Sequence, residues 1–97
     1  MLTSKQRAKL RSMANNFEVL YQVGKSGIVD TIVKQTEDAL EARELIKINV
    51  LKNCMDDIKE LSVVLAERTR SEVVQTIGRR IVLYKESKEH KKIQLPK

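Results

Sequence analysis

Apolar residues recur at helical spacing through Leu10, Met13, Ala14 and Phe17, while Lys5, Arg7, Lys9 and Arg11 fill positions between them. This pattern predicts a first helix with a narrow apolar stripe and a basic remainder. Thr3-Ser4-Lys5-Gln6 fits a capping box at its start, and Asn15-Asn16 ends it. From Phe17 to Val23 the period changes to two, with Phe17, Val19, Tyr21 and Val23 alternating with Glu18, Leu20 and Gln22, as in a strand. Gly24-Lys25-Ser26-Gly27 breaks that alternation. Helical spacing then resumes from Ile28 to Arg43, with Ile28, Val29, Ile32, Val33, Ala39 and Leu40 on one side.

Residues 44 to 51 revert to a strand, Ile46, Ile48 and Val50 facing one way and Lys47 and Asn49 the other. Lys52-Asn53 turns the chain, and Asp57 caps a third helix that packs Ile58, Leu61 and Leu65 and ends near residues 69 to 71. Two β-rich runs, 72 to 77 and 80 to 85, meet at Gly78-Arg79, a two-residue hairpin turn with glycine at its first central position. Beyond residue 86 the composition is charged, with little to bury. The order α-β-α-β-α-β-β, with right-handed crossovers, predicts a single-domain layered α/β sandwich: the second and third helices share a face and the last strand runs antiparallel. A chain of 97 residues buries on the order of 65% of its unfolded surface, enough for one core.

Charge sharpens this picture because it is segregated. Residues 1 to 34 carry six Lys/Arg against two Asp/Glu, residues 35 to 72 six against nine, and residues 73 to 97 seven against two, within a formal net charge of +6. Basic ends around an acidic middle point to a polyanionic partner for one surface. The single cysteine, Cys54, has no intramolecular disulfide partner, and no run of apolar residues is long enough for a membrane span, so a reducing, cytoplasmic setting is expected. His90 is the only histidine; with Cys54 it gives neither zinc-ligand spacing nor a catalytic triad, and no cofactor or enzymatic activity is expected.

The chemistry concentrates in Gly24-Lys25-Ser26-Gly27. Gly-Lys-Ser also ends a nucleotide-binding P-loop, but that loop needs a glycine five positions before Gly24, where this chain has Val19 inside a strand. A shorter Gly-x-x-Gly bend requires less chain. Its glycines permit positive backbone angles and close approach, and it opens onto a helix start where free amides and a positive dipole end meet the Lys25 charge. Such a bend grips phosphate rather than base, as in the loops that clamp single-stranded nucleic acid in KH domains.

VGKSG after a strand, EDALEARELIKINVL across the second helix and strand, and EVVQTIGRRIVLYK over the hairpin occur in one order between Leu2 and Lys85. In these blocks the chain resembles the CRM family, the chloroplast RNA splicing and ribosome maturation domain, in its bacterial stand-alone YhbY-type form. The resemblance implies RNA binding and association with ribosomal RNA of the large-subunit precursor. It also implies a fold similar to the C-terminal domain of translation initiation factor three, a mixed four-stranded sheet whose last strand opposes the others. By position, the family's loop falls on Gly24, Lys25, Ser26 and Gly27, and its hairpin glycine and following basic residue on Gly78 and Arg79.

The expected RNA surface therefore joins this loop to Lys5, Arg7, Lys9 and Arg11 on the first helix and to Arg79 and Arg80 at the hairpin. Residues 1–86 would form the domain and 87–97 a charged flexible tail, with a monomer favoured. Phe17, Tyr21 and Tyr84 fall in core patterns, so base stacking on aromatics is not expected. A competing reading makes the chain a protein-interaction module whose acidic middle, Glu37, Asp38, Glu41 and Glu44, docks a basic ribosomal protein.

Overall fold

The computed structural model describes residues 2–96. Three helices and four strands follow the anticipated order: α1 (Ser4–Ala14), β1 (Gln22–Val23), α2 (Asp30–Arg43), β2 (Leu45–Val50), α3 (Ile58–Thr69), β3 (Glu72–Ile77) and β4 (Arg80–Tyr84). The strands form one mixed sheet in the order β1-β2-β4-β3, with β1 parallel to β2 and β4 antiparallel to both of its neighbours.

Alternation along the strands divides the core between the two faces of this sheet. Ile46, Ile48 and Val50 of β2 and Ile81 and Leu83 of β4 point to one side, where they pack with Leu40 of α2 and Leu61, Leu65 and Ala66 of α3. Leu45, Val82 and Tyr84 point to the other side and meet Leu10 and Ala14 of α1. Both helices that follow a crossover thus share a face, and α1 supplies a third layer. Each large side chain buried in these clusters contributes roughly 1.5–3 kcal/mol.

Local signals account for most element boundaries. The Thr3 hydroxyl accepts from the Gln6 amide at 3.1 Å and the Thr3 amide donates to the Gln6 side chain at 3.0 Å, completing the capping box. Asp57 accepts from the Lys59 amide at 2.8 Å at the start of α3. Gly78 has φ +57 while Arg79 does not share the positive angle, the pattern of a type II′ hairpin turn.

The first strand is shorter than its alternation suggests, two paired residues instead of seven. Backbone bonds from Leu20 N–H to Lys47 O (2.8 Å) and Asn49 N–H to Tyr21 O (3.2 Å) nevertheless keep residues 20 and 21 beside β2. The junction between α2 and β2 was also not anticipated. With one residue between the two elements and no glycine available, Glu44 takes φ 67, ψ −41, near the rare γ-turn region.

The C-terminal segment has more anchorage than its composition suggests. It forms no regular element, yet the amides of Ser87, Lys92 and Ile93 donate to the buried Glu44 carboxylate at 2.6–2.8 Å. The amides of Lys88 and Glu89 donate to Glu41, and Ile93 and Leu95 pack against the α1 cluster. Burial pushes the Glu44 carboxyl up, but the three amides and Lys91 outweigh it and hold the group below the ordinary range. The Ser87 hydroxyl and the two amides lower Glu41 to about 2.

Candidate nucleic-acid interface

Parallel pairing of β1 with β2 decides which loops are neighbours. It brings the end of β1, and so the glycine-bracketed bend, beside the end of β2 and its following loop. Antiparallel pairing of β4 brings the Gly78-Arg79 hairpin to the same end of the sheet. Leu51 Cδ1 accordingly lies 3.9 Å from where a Cβ on Gly24 would stand.

The bend is a tight turn, with the Gly27 amide donating to Gly24 O at 3.0 Å and the Val29 amide to Gly27 O at 3.1 Å. Gly27 has φ +70, which favours glycine, and a Cβ there would lie 3.2 Å from Asp56 Oδ2, the end of an exposed side chain that can move aside. Among the described residues, the amides of Lys25, Ser26 and Ile28 have no protein acceptor, and the exposed side chains of Lys25 and Ser26 make no hydrogen bond or ion pair. The α2 start has Val29 as N-cap with no side-chain cap, which leaves first-turn amides next to the bend. These donors and the Lys25 ammonium can hold an anion.

Acidic groups stand close to this end, and their states matter. Asp30 lies in the first turn of α2 and is paired with Arg68 at 2.9 Å across an exposed surface. Asp57 is occupied as the α3 cap, while Asp56 faces Gly27 with no ion pair among the described residues. Lys52, exposed in the loop after β2, adds a cation that sequence reasoning treated only as part of a turn. The parallel β1–β2 pairing would have placed it beside the bend.

The other expected cations divide into free and engaged groups. Arg80 is exposed and Lys5 and Arg11 are exposed on α1, all without a side-chain partner among the described residues. Arg79 is half-buried: its Nε donates to Val50 O at 2.8 Å, and its Nη2 donates to Cys54 O at 3.0 Å and also to Leu51 O. It therefore fastens the 51–54 loop to the hairpin.

Arg7 donates to Val73 O and to Val74 O (3.3 Å), at the register shift in β3. Lys9 donates to Gln94 O at 2.6 Å. Val73 lies about 13 Å along β3 from the hairpin, so Arg7 is anchored well away from the bend. The acidic middle is largely engaged as well, since Glu41 and Glu44 hold the C-terminal segment and Asp38 pairs with Lys34 at 3.1 Å.

No group of three or more His, Cys, Asp or Glu among the described residues could hold a metal ion, and no helix there is long and apolar enough to cross a membrane. Fold and loop together define a small three-layer α/β module with a glycine-bracketed bend at the open end of its parallel strand pair.

The chain belongs to the CRS1/YhbY (CRM) domain family, whose model matches residues 2–85. It is 54% identical to the Bacillus subtilis "Probable RNA-binding protein YqeI" over 99% of this chain and 100% of the relative. A Haemophilus influenzae "RNA-binding protein" is 32% identical over 99% of this chain and 96% of its own length. The solution structure of a Staphylococcus aureus protein, 56% identical, superposes with a TM-score of 0.84 over 99% of this chain and 100% of that one.

Proposed function

We propose that this chain is a non-catalytic RNA-binding protein that grips the RNA backbone at Gly24–Gly27 and acts on ribosomal RNA in the large-subunit precursor during ribosome assembly. The observation that carries this reading is the bend itself, three unpaired amides beside an unpaired lysine in a tight turn that holds Gly27 at φ +70. The names of its relatives as RNA-binding proteins support the same class. Phosphates sit on the amides and Lys25, with Lys52 and Arg80 extending the footprint and Lys5 and Arg11 supplying longer-range attraction. Arg79 keeps the loop in place, and Arg7 and Lys9 contribute field more than contact.

Most of the affinity is then electrostatic and falls with salt. Lys25→Ala should lower affinity for single-stranded RNA about tenfold and flatten the log–log salt slope by about 0.7, with thermal stability unchanged. Gly27→Ala should weaken binding by moving the bend. If neither variant alters affinity or slope, the loop has no part in binding. In cells, crosslinking followed by sequencing of the attached RNA should return precursor ribosomal fragments above their share of total RNA; a profile that tracks total RNA would remove the ribosomal assignment.

A further inference from the structure

The strand register leaves one transverse row of the sheet uncovered. Gln22 of β1 pairs with Asn49 of β2, Asn49 with Arg80 of β4, and Arg80 with Ile77 of β3. Gln22, Asn49 and Arg80 point to the α1 face, because their strand neighbours Val23, Ile48, Val50 and Ile81 are packed in the cluster on the opposite face, and Ile77, directly paired with Arg80, shares their face. On that same face α1 and residues 93–95 cover Leu45, Val82 and Tyr84 and stop short of this last row. Gln22, Arg80 and Ile77 are exposed, Ile77 by 50%, and Asn49 is half-exposed. Among the described residues none of the three polar side chains has a hydrogen-bond partner.

We propose that this row reads the bases of a single-stranded RNA whose backbone is held at the adjacent Gly24–Gly27 bend. The inference rests on the RNA-binding function proposed above. Three inter-strand spacings make the row about 14 Å long, the width of a four-stranded sheet that accommodates two or three bases in other RNA-binding folds. Gln22 and Asn49 each present an amide donor and an acceptor, which suits exposed base edges. Arg80 supplies a planar cation on which a base can stack, and Ile77 an apolar end. A cleft lined by Asn49, Leu51, Lys52, Asn53 and Arg79 continues the row toward the loop after β2, so cations border the path. A duplex hides its bases and cannot use the row.

The test uses the full chain, fluorescein-labelled homopolymers of U, A and C, and an RNA duplex of the same length, each at two salt concentrations. Wild type should prefer single strands and separate the homopolymers by about tenfold. Gln22→Ala with Asn49→Ala should reduce that separation to within about twofold while leaving the salt slope intact. Arg80→Ala should weaken single-strand binding about tenfold. These side chains are free, so melting temperatures should match wild type, which circular dichroism checks. Retained base preference in the double variant, or duplex bound as tightly as single strands, overturns the row. If those variants match wild type while Lys25→Ala still weakens binding, the row fails and the RNA-binding function stands. A wild-type chain that binds none of these RNAs removes both.

Discussion

Both ends of the sheet carry basic residues, but they spend them differently. At the end bordered by the bend, Lys25, Lys52 and Arg80 have no partner among the described residues, while Arg79 bonds backbone carbonyls and Arg68 pairs with Asp30. Toward the other end, Arg7 and Lys9 reach backbone carbonyls of Val73, Val74 and Gln94, and Glu41 and Glu44 collect the amides of the C-terminal segment. Charge counted along a chain therefore overstates the charge offered to a ligand. A cation bonded to carbonyls stabilises the fold and must lose those bonds before it can meet a phosphate. The comparison implies that substitutions at one end should change stability and at the other end binding.

The largest effect is expected at Glu44. Glu44→Ala leaves three amides without their acceptor and keeps the unfavourable positive φ, so it should cost about 3 kcal/mol and lower Tm by more than about 10 °C. Glu44→Gly relieves the backbone strain and should recover about 1 kcal/mol of that loss. Thermal unfolding of the two variants measures both numbers, and an equal loss would mean that the angle carries no strain. Acid provides a reversible version. Both carboxyls lie below their ordinary value of 4.5 in the fold, Glu41 at about 2. Their contribution is therefore complete above pH 4.5 and is lost as pH falls toward 2. The amide resonances of Ser87 and Lys88 should move with that titration while those of the bend do not.

A reciprocal pair tests the division directly. Arg7→Ala should cost about 1.5 kcal/mol, because the carbonyls at the β3 irregularity lose a charged donor, yet RNA affinity should change less than about threefold at moderate salt. Lys25→Ala should do the opposite, with unchanged Tm and about tenfold weaker binding. If Arg7→Ala weakens binding as much as Lys25→Ala, the basic face of α1 belongs to the contact surface after all and the two ends are not distinct.

How far this division could be read from the chain depends on how local each signal is. The Thr3–Gln6 capping box, the Asp57 cap and the Gly78 turn involve partners within three residues, and alternation at Ile46, Ile48, Ile81 and Leu83 shows the shared core face directly. Position of the Gly24–Gly27 bend at a strand-to-helix junction was equally legible. By contrast, Arg79 meets carbonyls 25 to 29 residues away and Lys9 one 85 residues away. Nothing in the spacing of the basic residues distinguishes these from Lys25. The row Gln22–Asn49–Arg80–Ile77 exists only once register is known, since a slip of one residue would turn its members into the core. Glu44 reads as an ordinary strand residue because its strain comes from the absence of a loop, a property of how α2 and β2 meet.

The smallest effect expected concerns Asp56. Its carboxylate lies against Gly27 without a compensating ion pair among the described residues, so it opposes any phosphate brought to the bend. At an exposed site the repulsion is screened to a few tenths of a kcal/mol at physiological salt. Asp56→Asn should therefore tighten RNA binding about twofold at low salt and by less as salt rises, with little change in Tm. The same substitution combined with Lys25→Ala makes a double-mutant cycle. Because both groups act on one bound phosphate, the two effects should couple: without Lys25 the phosphate sits less closely at the bend, and Asp56→Asn should tighten binding by less than it does with Lys25 present. A weakening of binding by Asp56→Asn would mean that the carboxylate accepts a hydrogen bond from the RNA, a 2′-hydroxyl or a base amine, and that the bend recognises more than the phosphate.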